Sequence, residues 1–302
     1  ETARLIEAYK AKGGVVVQAG PALGADLAKA IAPDFATGVP AIGFVHRKLA
    51  DADVYFVANT GNRSVKVQAK VRTGRVRGEW WDAVSGAPEP VAVEGGAVAL
   101  DLAPYESRVL VLRDGGAGQT VVRADQSRVE IGADWKVTYP GYKQSATVSS
   151  LKSWAEDEST RYYSGQAVYE KTVDVPAGML GGRVALNFGD GVPFADEGRA
   201  MGYKALLDGP VREAAVVEVN GKRAGSVWKP PYEVDVTPYV KAGANTLRIT
   251  VANTAINGLA GQQQPDYKLL NLRYTERFTP QDMKNLQPLP SGILGTVTLV
   301  AR

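Results

Sequence analysis

The sequence predicts a mostly β protein, with two antiparallel β-sandwich domains in series after a short α/β remnant at the N-terminus. Apolar and polar residues alternate with a period of two from Ile42 onwards, which is typical of half-buried strands. Asn220-Gly221 separates two such alternating stretches and is a strong hairpin signal. Thirty-three glycines and 17 prolines also fit a loop-rich β protein.

The first 38 residues differ from the rest. Residues 5–9 carry apolar side chains at helical spacing, and Lys12–Gly14 is a C-terminal cap signal. Val15–Val17 is predicted to form a short buried strand, and residues 23–31 another helical turn. The order of helix, glycine pair and strand resembles the last unit of a flavodoxin-like domain, which we assign to residues 1–38. So short a segment cannot cover a parallel sheet by itself. We therefore expect it to pack on the rest of a longer polypeptide or on another chain.

Residues 39–113 are predicted to form a small β-sandwich. Its alternating stretches lie at 42–47, 54–59, 65–71, 97–102 and 108–112. Residues 114–120 are glycine-rich and are assigned as a flexible linker. Residues 121–302 form the second predicted domain.

The stretch Val217–Gly261 predicts the architecture of the second domain. Alternation runs up to Asn220-Gly221, Pro230-Pro231 then interrupts any ladder, and a last alternation leads to Val251. Four short strands with tight turns describe half of a β-sandwich. The connection from Gly189 to Ala214 is long enough to suggest a functional loop, and we expect it to lie at the same end of the sandwich as Asn253–Asn257.

These residues carry a family resemblance. The pattern G-x-V-W-x-P-P-Y-x-V-D-V-T, followed by G-x-N-x-L-x-I-x-V-x-N, is similar to the galactose-binding-like jelly roll attached to many glycoside hydrolases. With DVYFVAN, WWDAVSG and NTAINGLAG, the chain resembles the C-terminal end of bacterial α-L-rhamnosidases of glycoside hydrolase family 106. The likeness runs from about Phe44 to the C-terminus.

The resemblance implies a role beside a catalytic domain. Members of this family invert the configuration of α-L-rhamnosides with glutamates in a barrel that holds a calcium ion near the sugar. No motif of that barrel occurs in the chain, so we expect no catalytic residue, cofactor or metal ligand here. The expected partners are an N-terminal catalytic barrel of the same polypeptide and a rhamnose-containing glycan or glycoside. The expected location is periplasmic or extracellular in a bacterium. Whether the chain is itself an enzyme stays open.

Composition excludes several other classes of protein. Lys and Arg outnumber Asp and Glu by 35 to 32, a scattered net charge of +3 that argues against nucleic-acid or membrane-surface partners. Apolar runs are too short to span a bilayer. The absence of cysteine removes disulfides and thiolate chemistry, and a single histidine removes histidine-based metal clusters.

Acidic chemistry has one candidate location. A glycosidase needs two carboxyl groups about 5–5.5 Å apart for retention or about 6.5–9.5 Å apart for inversion. Asp190, Asp196 and Glu197 form the only acidic cluster in a plausible loop. We interpret them as solvated or calcium-like loop residues and not as an acid/base pair.

Six residues are candidates for contacts with a sugar: His46, Arg47, Tyr203, Trp228, Asn253 and Asn257. His46 and Arg47 either serve the structure or hydrogen-bond a sugar or a catalytic carboxylate. Aromatic rings such as Tyr203 and Trp228, and also Trp154 and Tyr232, either fill a core or stack on sugar faces. Asn253 and Asn257 either cap a turn or bind sugar hydroxyls. Two alternatives to the glycosidase role stay open: a free-standing carbohydrate-binding module and a purely structural module.

Overall fold

In a computed structural model the chain divides into two compact units, Glu1–Val121 and Val122–Arg302. The structure describes residues 1–116, 118–119, 125–195, 205–262, 268–275 and 286–302. Every strand pairing among them is antiparallel. The predicted fold class, mostly β with β-sandwich domains, is confirmed. No helix in these ranges is long and apolar enough to cross a membrane.

The N-terminal segment forms two helices, as predicted: α1 (Thr2–Ala11) and α2 (Leu23–Ala30). The predicted strand Val15–Val17 is wrong, because these residues have no strand structure and Val15 is 62% exposed. A strand needs a neighbour to accept and donate its backbone hydrogen bonds, and no described strand pairs with this segment. Neither helix contains a buried residue.

Eight strands form the sandwich of the first unit. They are β1 (Phe35–Ala36), β2 (Ile42–Lys48), β3 (Ala52–Asn59), β4 (Val65–Val71), β5 (Arg77–Asp82), β6 (Pro88–Glu94), β7 (Ala97–Leu102) and β8 (Ser107–Arg113). Their order across the ladder is β1-β4-β7-β6-β5-β8-β3-β2. β6 pairs with β5 through Pro88–Ala92 and with β7 through Val93–Glu94, so it belongs to both halves of the ladder.

The two halves of this ladder share one core. Alternation directs Tyr55 and Val57 of β3, and Leu110 and Leu112 of β8, into the same cluster as Leu100 of β7, and all of them are at most 1% exposed. Burying each such side chain contributes roughly 1.5–3 kcal/mol to the free energy of folding. The alternation read from the sequence is therefore the pattern that builds this core.

The described residues of the second unit form fourteen strands. They are β9 (Ser127–Ile131), β10 (Trp135–Tyr139), β11 (Gln144–Val148), β12 (Gln166–Val175), β13 (Val184–Asn187), β14 (Val192–Pro193), β15 (Leu207–Asp208), β16 (Val211–Arg212), β17 (Ala214–Val219), β18 (Lys222–Val227), β19 (Glu233–Asp235), β20 (Gly243–Ala252), β21 (Gly292–Ile293) and β22 (Val297–Ala301). Two short helices follow β20: α3 (Ile256–Ala260) and α4 (Lys268–Tyr274).

Two larger sheets make this unit a jelly-roll sandwich. One sheet has the order β11-β10-β12-β20-β17-β18 and the other the order β19-β13-β22-β9. Two short ladders, β14-β15 and β16-β21, add to them. Side chains of both sheets fill one core, in which Trp135, Leu186, Ile249 and Leu299 are fully buried.

The predicted hairpin joins β17 to β18. Asn220 and Gly221 have φ angles of +51° and +75°, the left-handed conformation at both central positions that a type I′ turn requires. Val219 pairs with Lys222 directly across the turn. The Asn220 amide also donates to the carbonyl of Tyr239 at 2.9 Å. The local signal in the sequence therefore fixes this register.

Two aromatic candidates lie in the core. Trp154 is 2% and Tyr232 7% exposed. The Trp154 indole N–H donates to the Tyr169 hydroxyl at 2.6 Å, which satisfies a buried polar group. Of the two alternatives for these rings, core packing is therefore the one that the structure shows.

Register brings several loops of this unit to one end, which we call the loop end (residues 140–143, 153–165, 189–195, 205–213, 228–232, 253–262 and 286–296). Ala252, the last residue of β20, pairs with Gln166 at the start of β12 and with Ala214 at the start of β17. β16, in the long connection, pairs with Gly292–Ile293. The described ends of the 189–214 connection therefore lie at the same end as Asn253–Asn257, as predicted.

Matched leucines test the burial pattern of the second unit. Leu299→Ala should lower the free energy of unfolding by about 2–5 kcal/mol, because it removes a fully buried side chain from the four-stranded sheet. Leu180→Ala, at a 37% exposed position, should cost less than half as much. Urea unfolding of both variants measures the difference, and equal losses would contradict the described core.

Candidate functional site

His46 lies in β2 between two carboxylates. Its Nδ1 is 3.2 Å from an Asp34 oxygen and its Nε2 is 3.2 Å from an Asp53 oxygen. The ring stacks on Tyr55, with centroids 4.1 Å apart and planes inclined by 8°. Strand alternation places Asp53, Tyr55 and His46 on the same inner side of the β2-β3 pair. An imidazolium, which donates from both nitrogens, satisfies both contacts.

Arginines hold both carboxylates in place. Asp34 accepts from Arg72 Nε at 3.0 Å, and Asp53 accepts from the Thr73 hydroxyl at 3.0 Å. Arg75 Nε lies 3.3 Å from the same Asp53 oxygen as Thr73, while His46 contacts the other oxygen. In the group formed by Asp34, His46, Asp53, Arg72 and Arg75, which we call the His46 network, each carboxylate therefore pairs with an arginine as well as with His46.

The electrostatics of the His46 network do not suit acid catalysis. The hydrogen bond from Arg72, and then that from His46, lower the pKa of Asp34 below its ordinary value of 3.8. A general acid needs a raised pKa so that it holds its proton near neutral pH. Burial, followed by the charges of Asp53 and Asp34, raises the pKa of Tyr55 to about 12. Its hydroxyl has no hydrogen-bond partner among the described residues.

The side chains of Arg47 and His46 do not point to the same place. Neighbouring residues of a strand point to opposite faces, and Arg47 is exposed on the outer face of β2. The two side chains therefore do not act on one ligand group together. A role of either residue in sugar binding stays a prediction.

The carboxylate and arginine partners of His46 were not identified from the sequence. One signal for Asp53 was available, because it alternates in phase with the buried Tyr55 and Val57. A carboxylate on the buried face of a strand needs cationic or hydrogen-bonding partners. Asp34 and Arg72 come from segments distant in sequence, and no local pattern joins them.

At the loop end of the second unit, Asn253 connects three segments. Its side-chain oxygen accepts from the Gly165 N–H at 2.9 Å. Its amide donates to the Tyr163 carbonyl at 2.8 Å and to the Ser291 hydroxyl at 3.0 Å. The amide is thus occupied by the protein itself.

Asn257 is fully buried and makes the same kind of connection. Its amide donates to the Leu289 carbonyl at 2.9 Å and to the Ser291 hydroxyl at 3.2 Å. Its oxygen accepts from the Leu289 N–H at 3.0 Å. These contacts correspond to the loop-capping alternative for both asparagines; their sugar-binding alternative stays a prediction.

Trp228 is the exposed aromatic candidate. It follows the last residue of β18 and is 61% exposed, so the core interpretation is wrong for this ring. Pro230 and Pro231 end the strand and carry the chain over to β19, which leaves the indole at the loop end. The candidate Tyr203 lies outside the described residues.

A cleft of about 550 Å³ lies beside β9, β13 and β22 at this end. Its lining includes Arg128, Glu130, Asp190 and Asp208, with the backbone of Gly189–Gly191 at one side. The other two acids of the predicted cluster, Asp196 and Glu197, lie outside the described residues. Mixed charge in a cleft of this size suits a small polar ligand. In the described part of the chain no group of three or more His, Asp or Glu side chains could hold a metal ion.

A pH-dependent measurement tests the His46 network. Because the pKa of Asp34 is lowered in the folded protein, its carboxylate stabilises the fold above pH 3.8, and this contribution is lost as the pH falls through the lowered value. Asp34→Asn should therefore reduce stability at pH 7 and make a smaller difference near pH 3. Urea unfolding at both pH values measures it, with Asp26→Asn in α2 as the surface control. A difference that does not change with pH would contradict the prediction.

A second measurement compares the loop-end candidates. Asn257→Ala leaves buried partners at Leu289 and Ser291 unpaired and should cost about 1–3 kcal/mol of unfolding free energy or more. Trp228→Ala should change it by less than about 0.5 kcal/mol, as expected for an exposed position. Thermal unfolding of both variants checks the order, and a large loss for Trp228→Ala would show that the ring supports the fold.

Comparison with known proteins places these units among glycoside hydrolases. A family model described as alpha-L-rhamnosidase matches residues 5–94. The solved structure of a rhamnosidase from Novosphingobium sp. PP1Y matches 96% of the chain with a TM-score of 0.72 and 26% sequence identity. A protein of Formosa agariphila named "Putative beta-glucuronidase" is 30% identical over an alignment of 206 positions that covers 60% of this chain.

The chain spans only a part of these proteins: 27% of the rhamnosidase chain and 16% of the Formosa protein. The residues matched by the family model include DVYFVAN and WWDAVSG, and the structural match extends over nearly the whole chain. The chain is therefore glycoside hydrolase-like, and its resemblance to the α-L-rhamnosidases of glycoside hydrolase family 106 is confirmed.

Proposed function

We propose that this chain is a non-catalytic part of an α-L-rhamnosidase-like glycoside hydrolase. It supports a catalytic barrel of the same polypeptide, and the loop end of its second unit shapes the substrate cleft. The catalysed reaction is the inverting hydrolysis of an α-L-rhamnoside by that barrel. The protein acts in the periplasm or outside a bacterial cell, and any calcium ion belongs to the barrel.

The observation that carries the proposal is the exposed apolar surface of the N-terminal segment. Leu5, Val15 and Ile31 are 65%, 62% and 52% exposed, and no residue of α1 or α2 is buried. Apolar surface of this extent needs a covering partner in water. The family model begins its match within this segment, at residue 5, which supports a partner belonging to the same enzyme.

The loop end supplies the second line of support. Trp228 is 61%, Leu259 41% and Phe194 37% exposed there. Exposed aromatic rings and charged side chains at the same end of a sandwich suit sugar binding, since apolar sugar faces stack on rings while polar groups bind hydroxyls. Asn253 and Asn257 fix the loops that carry this surface. Rigid loops can position a substrate for chemistry that occurs elsewhere.

An activity assay of the isolated chain tests the proposal that it is non-catalytic. Purified residues 1–302 should not hydrolyse an aryl α-L-rhamnoside, because Asp34 and Asp53 are held by arginines. Release of the aryl group measures the activity. Hydrolysis that a single Asp or Glu substitution in this chain abolishes would overturn the proposal.

The role of the loop end is tested in the longer polypeptide that contains the barrel. Trp228→Ala should lower kcat/KM for the rhamnoside, by up to about a hundredfold if the ring positions the substrate, without lowering the Tm. Leu180→Ala is the matched control, since Leu180 lies beyond the opposite end of β12 and is also exposed. Equal kinetics for wild type and Trp228→Ala would exclude the cleft role.

A further inference from the structure

The outer face of the first unit carries a row of apolar side chains across five neighbouring strands. Register pairs Val45 with Phe56, Phe56 with Val109, Val109 with Trp81, and Trp81 with Pro88. Val45 is 56% and Phe56 43% exposed, and Trp81 and Val109 are half-buried. The core lies on the other face of these strands, at Tyr55, Trp80 and Leu110. We call this row the outer row.

A second row beside it is partly charged. It contains Arg47, Val54, Val111, Glu79 and Pro90, again as direct partners on the same five strands. Apolar rings with polar side chains beside them are more typical of a ligand-binding surface than of a solvated sheet face.

The Trp81 ring is held in a fixed orientation. Its indole N–H donates to Glu79 at 3.0 Å, and this hydrogen bond is the main cause of the lowered pKa of Glu79. Arg77 and Arg113 lie 3.2 Å and 3.3 Å from the same carboxylate. A ring held in this way loses little conformational freedom when a ligand stacks on it, which lowers the entropic cost of binding.

We propose that the outer row binds an acidic oligosaccharide, with uronic acid residues, by stacking sugar rings on Phe56 and Trp81. The two rings lie on β3 and β5 with β8 between them, so two strand spacings, about 9.5 Å, separate them. That separation is about the length of two sugar residues in an extended glycan. Each ring can therefore stack on the apolar face of every second sugar.

Charge on this face favours an acidic glycan over a neutral one. Arg77 and Arg113 share a single carboxylate, that of Glu79, and Arg47 lies on the same face of the sheet. Arg47 forms no ion pair with any described residue and lies opposite Val54, one position diagonal to Phe56. A guanidinium beside a stacked sugar can bind a uronate carboxylate through two parallel hydrogen bonds.

This site is independent of the proposed function, because it lies on the first unit and involves no residue of the loop end. The competing occupant is a protein surface: the rest of a longer polypeptide or a second copy of this chain. The experiment distinguishes these occupants.

Affinity electrophoresis of the purified chain tests the proposal directly. A native gel containing polygalacturonate should retard the chain at about 150 mM salt, where surface charges are largely screened beyond about 8 Å. A gel containing a neutral galactan should retard it much less. Equal mobility in both gels and in an empty gel would overturn the proposal.

Matched variants then locate the binding surface. Phe56→Ala and Trp81→Ala should each weaken retardation at least about tenfold, as anchor residues do, and Arg47→Ala should weaken it for the acidic polymer only. The controls are Val84→Ala, 68% exposed on a turn, and Lys66→Ala on β4, whose side chain is 84% exposed. If Trp81→Ala lowers the Tm, the test relies on the variants Phe56→Ala and Arg47→Ala, because these two side chains are exposed.

Two outcomes would replace the glycan by another occupant. If Lys66→Ala weakens retardation as much as Arg47→Ala does, general charge attraction explains the binding. If the chain sediments as a dimer that Phe56→Asp dissociates, the outer row is a protein interface. Either result would refute a glycan site.

Discussion

Antiparallel register is the constraint on which both candidate surfaces depend. In the second unit, β12 and β20 pair over ten positions, from Gln166 opposite Ala252 to Val175 opposite Gly243. A shift by one residue would turn every buried side chain of β20 to the solvent. With this register fixed, the ends of β18 and β20 and the starts of β12 and β17 must meet, and their loops form one surface.

The two asparagines that follow β20 show how this surface is kept rigid. Asn253 and Asn257 use their amides to bind backbone groups at Tyr163, Gly165 and Leu289. Loops without a strand ladder leave backbone groups unpaired, and buried amides satisfy them. The loop end is thus organised by polar contacts, while Trp228 stays free to meet a ligand or a neighbouring domain.

In the first unit the same constraint separates a charged interior contact from an apolar exterior row. His46 and Arg47 are neighbours in sequence but face opposite sides of β2. The inward side chain becomes part of a network of ion pairs with Asp34 and Asp53, while the outward one lies diagonally from Phe56. One face of β2 therefore contributes to the stability of the fold, and the other face belongs to the proposed ligand-binding surface.

Elements with local causes could be predicted from the order of residues alone. Period-two alternation predicts the strands around Val54–Asn59 and Leu247–Val251, because backbone geometry sends successive side chains to opposite faces. Asn220-Gly221 predicts its hairpin because both residues tolerate positive φ. The family motifs lie on these same strands and turns, which is why the resemblance could be read from the chain alone.

Contacts between residues far apart in sequence depend on the packing of the folded chain and could not be predicted in this way. Val15–Val17 has strand propensity but no described strand to pair with, and hydrogen bonding between strands is a non-local condition. Alternation cannot tell that Trp228 is exposed while Trp154 is buried, because both lie beside turns. Nor can it bring Asp34 to His46 or align Phe56 with Trp81, since those neighbours follow from the packing and register of separate strands.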